Sequence, residues 1–159
     1  MVRPETSPRL DDVEARFHAE YHVFQYHFVE FFTEHLAECS RVFDGDLQEM
    51  LVLALIGQMH LKAHFELTQA GEALSMQKLE EPQITASRLA DASGIPRETV
   101  RRKLVKLAGR GWIKQRENGA WHLVLDEDNA AARRDLEGLD KRGVARVAQL
   151  YRKLSRMLA

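Results

Sequence analysis

Arg97, Glu98, Arg101 and Arg102 fall within six consecutive residues. A guanidinium presents a planar fork of N–H donors, suited to paired acceptors such as a carboxylate, a phosphate or the O6/N7 edge of guanine. A carboxylate in the same place accepts from an amino group such as cytosine N4. The four side chains are therefore equipped to read planar hydrogen-bonding edges. Around them stand Thr85, Thr99, Lys103, Lys106, Lys114, Arg116 and Asn118. These hydroxyl, cationic and amide groups are of the kinds that bond phosphate oxygens.

Such groups act together only if backbone elements gather them on one surface. From Ile84 the chain reads Ile-Thr-Ala-Ser-Arg-Leu-Ala-Asp-Ala-Ser-Gly. Thr85 is placed to cap a short helix, Leu89 and Ala90 to face inward, and Gly94 to take the positive φ of a tight turn. Ile95 anchors that turn, and Pro96 is expected at the first position of a second helix. Val100, Leu104 and Leu107 then lie one above another. With that face inward, the outward side carries Glu98, Arg102, Val105 and Lys106, flanked by Arg97 and Arg101. Glu98 and Arg102, four apart, are expected to pair. Gly109-Arg110-Gly111 ends the helix, Trp112 to Arg116 reads as a strand, Asn118-Gly119 signals a two-residue hairpin, and Ala120 to Leu125 returns. A helix-turn-helix followed at once by a hairpin is the pattern of a winged helix.

The run Ile95-Pro96-Arg97-Glu98-Thr99-Val100-Arg101-Arg102-Lys103-Leu104 resembles the recognition helix of the cyclic-nucleotide-responsive (CRP/FNR) regulators. That resemblance implies that Arg97, Glu98 and Arg102 read bases. It stops at this module, with no Gly-rich β-roll ahead of it to sense a cyclic nucleotide. The pattern Ile84-Thr85-x-Ser87-x-Leu89-Ala90 through Leu107-x-x-x-Gly111-Trp112-Ile113, with helices on both sides, is similar to the MarR family. This implies a dimer built from the terminal helices around a central winged helix.

Charge is segregated along the 159 residues. Net charge is −1, but residues 1–83 hold six Lys/Arg against fifteen Asp/Glu, residues 84–125 nine against three, and residues 126–159 eight against six. A basic module between an acidic arm and a mixed tail points to a polyanionic partner. The expected organisation follows: 1–83 an N-terminal helical region, 84–125 the DNA-binding module, 126–159 a C-terminal dimerisation helix.

In the arm, Ser7-Pro8 reads as a helix start, and Leu10, Val13, Phe17, Tyr21, Phe24, Phe28 and Phe31 recur at steps of 3 and 4 as far as about Cys39. Phe17, Tyr21, Phe24 and Phe28 are the candidates for a small-molecule effector pocket, with core or dimer seam as the plainer reading of the stripe. Asp46 and Glu49 form a capping-box pattern for a helix running to about Ala70, stopped by Gly71 and apolar on every side from Met50 to Ile56. A connector runs to Gln83. Asp126-Glu127-Asp128 reads as the start of the last helix, with a kink or break near Gly138 and Gly143.

Other chemistries find less support. His18/His22 and His60/His64 have i, i+4 spacing that can hold zinc on a helix, without a Cys pair beside them, so no metal or other cofactor is expected. Cys39 is the one cysteine and has a single neighbouring cation, Arg41, to lower its pKa. No catalytic frame is recognisable, so the chain is not expected to be an enzyme. The longest apolar run is far short of the ~20 residues of a membrane span. With one cysteine and no apolar leader, a cytoplasmic setting is expected.

The whole reads as a mainly α protein: a winged helix-turn-helix with a small two- or three-stranded β-wing, flanked by long terminal dimerisation helices. The expected function is a dimeric, sequence-specific regulator that binds a palindromic site in double-stranded DNA, by default a repressor. The rivals are a winged-helix adaptor that binds protein, and a regulator switched by a small molecule or metal.

Overall fold

The computed structural model describes residues 8–69, 82–127 and 129–159. Among them are seven helices: α1 Leu10–Ala19, α2 Tyr21–Val42, α3 Leu47–Gln69, α4 Ala86–Ser93, α5 Arg97–Gly109, α6 Ala131–Asp135 and α7 Glu137–Ser155. Four short strands, β1 Ile113–Gln115, β2 Trp121–Leu123, β3 Leu125–Asp126 and β4 Asn129–Ala130, form two separate antiparallel pairs. The protein is mainly α. The chain divides into two units, Met1–Glu38 with Leu139–Ala159, and Cys39–Gly138.

The Cys39–Gly138 unit is built on α5. Val100, Leu104 and Leu107 are fully buried, as their spacing predicts. They pack among α3, α4 and β1, joined in the core by Phe43, Val52, Ile56, Leu89 and Ile113. Complete burial of such side chains contributes roughly 1.5–3 kcal/mol each. The helix that the sequence groups with the N-terminal arm, α3, thus packs against α4, α5 and β2. Its Met50–Ile56 stretch is not buried all round: Val52, Leu53 and Ile56 are covered, while Leu51 is exposed.

Local signals explain the turns. The Thr85 hydroxyl accepts from Arg88 N–H at 3.3 Å and caps α4. Gly94 closes α4 with φ +70°, a conformation that is strained for residues with a Cβ. Pro96 stands one position earlier than expected, at the N-cap of α5. At the far end Gly111, with φ +77°, donates to Ala108 C=O while Trp112 donates to Leu107 C=O; this pair of bonds is a Schellman stop.

The β1–β2 hairpin pairs Ile113 with Leu123, Lys114 with His122 and Gln115 with Trp121. Ile84 adds an isolated bridge to Trp121. The turn is not a two-residue one. Arg116 C=O accepts from Gly119 at 2.9 Å, Arg116 N–H donates to Ala120 C=O at 2.8 Å, and only Gly119 in this turn has positive φ. These are the marks of a three-residue loop with a glycine bulge, stabilised by the Asn118 carboxamide oxygen accepting from Ala120 N–H.

Downstream, the Asp126-Glu127-Asp128 helix start is corrected. Leu125–Asp126 pairs with Asn129–Ala130 around Glu127, whose φ is +55°, and helix begins only at Ala131. The break expected near Gly138 and Gly143 falls at Leu136 instead; both glycines lie inside α7.

In the other unit, what reads as one N-terminal helix is two. The interruption is at Glu20, with φ −114° and ψ 43°. Pro8 precedes α1 rather than opening it, and Ser7 lies outside the described residues. So do Ala70, Gly71 and the connector as far as residue 81. Arg16 donates to Met157 C=O at 2.7 Å, Lys153 bonds Glu30, and Arg142 and Arg146 both bond the buried Glu38. These pairings set α7 antiparallel to α1 and α2. Gly143 faces the His35 ring, and a Cβ there would make ordinary van der Waals contact with it, at 3.5 Å. Burial pushes the Glu38 carboxyl up, but the bonds from Arg142 and Arg146 outweigh it and hold it below its ordinary value.

Candidate nucleic-acid interface

The two sides of α5 carry cations in different circumstances. On the outward side Arg97, Glu98, Arg101, Arg102 and Val105 are all exposed. Arg101 Nη1 lies 3.8 Å from Glu98 Oε2, and Arg102 Nη2 donates to Thr99 Oγ1 at 3.4 Å. The expected Glu98–Arg102 pair is thus replaced by one at i, i+3. Arg97 makes no ion pair among the described residues. These contacts are exposed and weak, so the guanidinium forks remain available to a ligand.

The side toward α3 is different. Lys103 Nζ donates to Asp46 Oδ2 at 2.8 Å and Lys106 Nζ does so at 3.4 Å. Lys106 also lies 2.6 Å from Glu49 Oε2, and Arg110 Nε donates to Glu49 Oε1 at 2.7 Å. The Glu49 side chain has no exposed surface, while that of Lys103 is only 20% exposed. Lys103 is therefore largely withdrawn from solvent, while Lys106, its side chain 45% exposed, is held by Asp46 and Glu49. Arg110 is spread over two rings, 5.0 Å from the Trp112 centroid and 5.8 Å from that of Phe43. Trp112 Nε1 donates to Asp135 Oδ2 at 2.8 Å.

The protonation states follow. Burial raises the Asp46 carboxyl, but bonds from Lys103, the Glu49 N–H and Lys106 hold it below its ordinary value. The bond to Glu49 holds the Lys106 ammonium above its own. Bonds from Trp112 and Arg134 lower Asp135. The half of the capping box that forms is the Asp46 Oδ1 bond to Glu49 N–H, at 3.0 Å; the Glu49 carboxylate turns to Lys106 and Arg110.

The hairpin adds further groups. Lys114 is exposed on β1 and makes no ion pair among the described residues. Arg116 is half-buried at the loop, and Asn118 donates to Gln83 at 3.1 Å. Thr85 and Thr99 are used locally, as cap and as acceptor. Arg88, which no site reading from the sequence included, is exposed on α4.

In the unit of α1, α2 and α7, the Phe17, Tyr21, Phe24 and Phe28 rings form a ladder with centroids 5.0–6.4 Å apart, continued by Phe32. Tyr21 is 54% and Phe28 39% exposed. An open depression lies beside the ladder, lined by Tyr26, Val29 and Thr33 among others; of the four candidate pocket residues it takes in only Tyr21. His18 and His22 fall on opposite sides of the break at Glu20, while His60 and His64 share α3. Among the described residues no group of three His, Cys, Asp or Glu is placed to hold a metal. Cys39 is buried. No described helix is long and apolar enough to cross a membrane. Comparison with known proteins adds no relative: no family model, no curated protein and no solved structure matches this chain.

Proposed function

We propose that the chain is a sequence-specific double-stranded DNA-binding regulator, in which α4, the Gly94 turn, α5 and the β1–β2 hairpin act as a winged helix-turn-helix. The observation that carries this reading is the outward side of α5. It holds Arg97, Glu98, Arg101 and Arg102 exposed on a helix whose opposite side is fully buried. In this reading α5 enters the major groove, the arginines bond guanine edges and Glu98 accepts from cytosine. Lys114, Arg116 and Asn118 of the wing, with Thr85 and Thr99, meet phosphates. The likeness to MarR-type architecture belongs to the same proposal, as does repression by occluding a promoter.

A homodimer is part of it. Tyr21, Tyr26, Phe28 and Phe32 on α2, and Val144, Val147 and Tyr151 on α7, are large apolar side chains left exposed. In this reading a second copy covers them, and the dimer reads a palindromic site with half-sites about one helical turn apart.

The test is an anisotropy titration of labelled random duplex from about 50 to 300 mM salt. Binding that weakens linearly in log–log form supports the reading. Salt-independent binding, or none, contradicts it and favours an adaptor that binds protein.

A further inference from the structure

Asp46 and Glu49 stand in an unusual relation to α5. Asp46 uses one carboxylate oxygen to cap α3 and the other to accept from Lys103 and Lys106. Glu49, fully buried, takes Lys106 on one oxygen and Arg110 on the other. Asp44 lies 3.9 Å from Arg110. Lys103 and Lys106 of α5, with Arg110 at its C-cap, thus face three carboxylates, while the cations of its first turns face outward. Lys106 lies one turn beyond Arg102 on the same helix, and its side chain is still 45% exposed. At 100° per residue its position is turned about 40° from that of Arg102, within reach of the Arg102 side for a released side chain.

An acid that holds a lysine does what a phosphate oxygen would do, and removes that lysine from contact with a polyanion. We propose that Asp46 and Glu49 set the sequence-independent affinity of α5 by sequestering Lys103 and Lys106, so that α5 meets DNA through its base-reading N-terminal half with fewer phosphate contacts. This rests on the duplex-binding reading of α5. Sequence-independent affinity grows with every phosphate neutralised; holding back two lysines suppresses random binding while leaving Arg97, Glu98 and Arg102 untouched.

The test compares the wild-type protein with Asp46→Asn and with Asp46→Asn/Glu49→Gln. Asparagine retains the cap of α3 and glutamine still accepts from Arg110. Far-UV circular dichroism and a thermal melt establish that each variant is folded. On random duplex, the log–log salt slope is expected to steepen by about 0.9 in the single variant and about 1.8 in the double. Random and selected-site binding tighten by the same factor, because a phosphate contact carries no sequence information. Lys106→Gln added to the double variant restores about half of the change. Heparin retention is scored in parallel, because it reports the released lysines whether or not the chain reads duplex DNA. Later elution from heparin with no duplex binding by any form keeps the sequestration and overturns the duplex reading. Folded variants with unchanged slope and unchanged heparin elution overturn the sequestration. If the double variant fails to fold, the single variant decides by the same criteria.

Discussion

The outward and inward-leaning sides of α5 are equally basic in sequence and differ in what they can touch. Arg97, Arg101 and Arg102 meet solvent or weak local partners. Lys103, Lys106 and Arg110 meet Asp46, Glu49 and the Phe43 and Trp112 rings. Composition alone counts all six as one basic surface. Geometry separates three that face solvent from three that fasten the helix to α3. A charge balance therefore overstates a binding face whenever its counter-charges come from a distant segment.

The largest perturbation erases both sides together. Leu104→Ala removes the centre of the buried triplet and should cost roughly 2–5 kcal/mol of stability, measured by chemical denaturation, with loss of any DNA retention. A change confined to the outward side comes next. Arg102→Ala is expected to cost about 1–3 kcal/mol on a selected site and to relax sequence choice, while leaving the melting temperature near wild type; equal loss on random duplex would remove it from base reading. On the hairpin, Lys114→Ala should weaken all sequences alike and reduce the salt slope by about 0.9.

The smallest effect is on acid stability and belongs to the inward side. The Asp46 carboxyl is held below its ordinary value of 3.8. Its contribution to stability is therefore fully present above that pH and is lost as pH falls through the lower folded value. Below about pH 4 the melting temperature of Asp46→Asn should fall less steeply than that of the wild type. Most of the slope remains, because Glu38 and Asp135 are also lowered. Parallel curves would show that the Lys103 bond contributes nothing.

What the sequence revealed and concealed follows the same division. Thr85, Gly94 and the Val100, Leu104, Leu107 spacing announced the two helices and their turn, because caps, positive φ and helical period are local properties. Gly111 marked the end of α5 for the same reason. The Asp46 bonds to Lys103 and Lys106 span 57 and 60 residues, and no local pattern encodes them. Glu49 was legible as a capping residue and not as a buried counter-ion. The break at Glu20 was hidden because the apolar stripe keeps its steps of 3 and 4 straight across it. Asp126-Glu127-Asp128 has the composition of a helix start, yet Glu127 enters the left-handed region and the β3–β4 pair forms instead. The aromatic stripe was visible as a stripe; that its rings stack on each other and stay partly exposed depends on rotamers and on packing.

The measurement that bears most directly on the central claim is a binding selection. Random duplex is mixed with purified protein at about 0.1 M salt and the retained strands are sequenced. The same selection is run with Arg97, Glu98 and Arg102 replaced together by alanine. An enriched palindrome is expected for the wild type, with half-sites about one helical turn apart, degrading to background in the variant. Retention without enrichment, or an enriched site that survives the triple replacement, would contradict base reading by the outward side of α5.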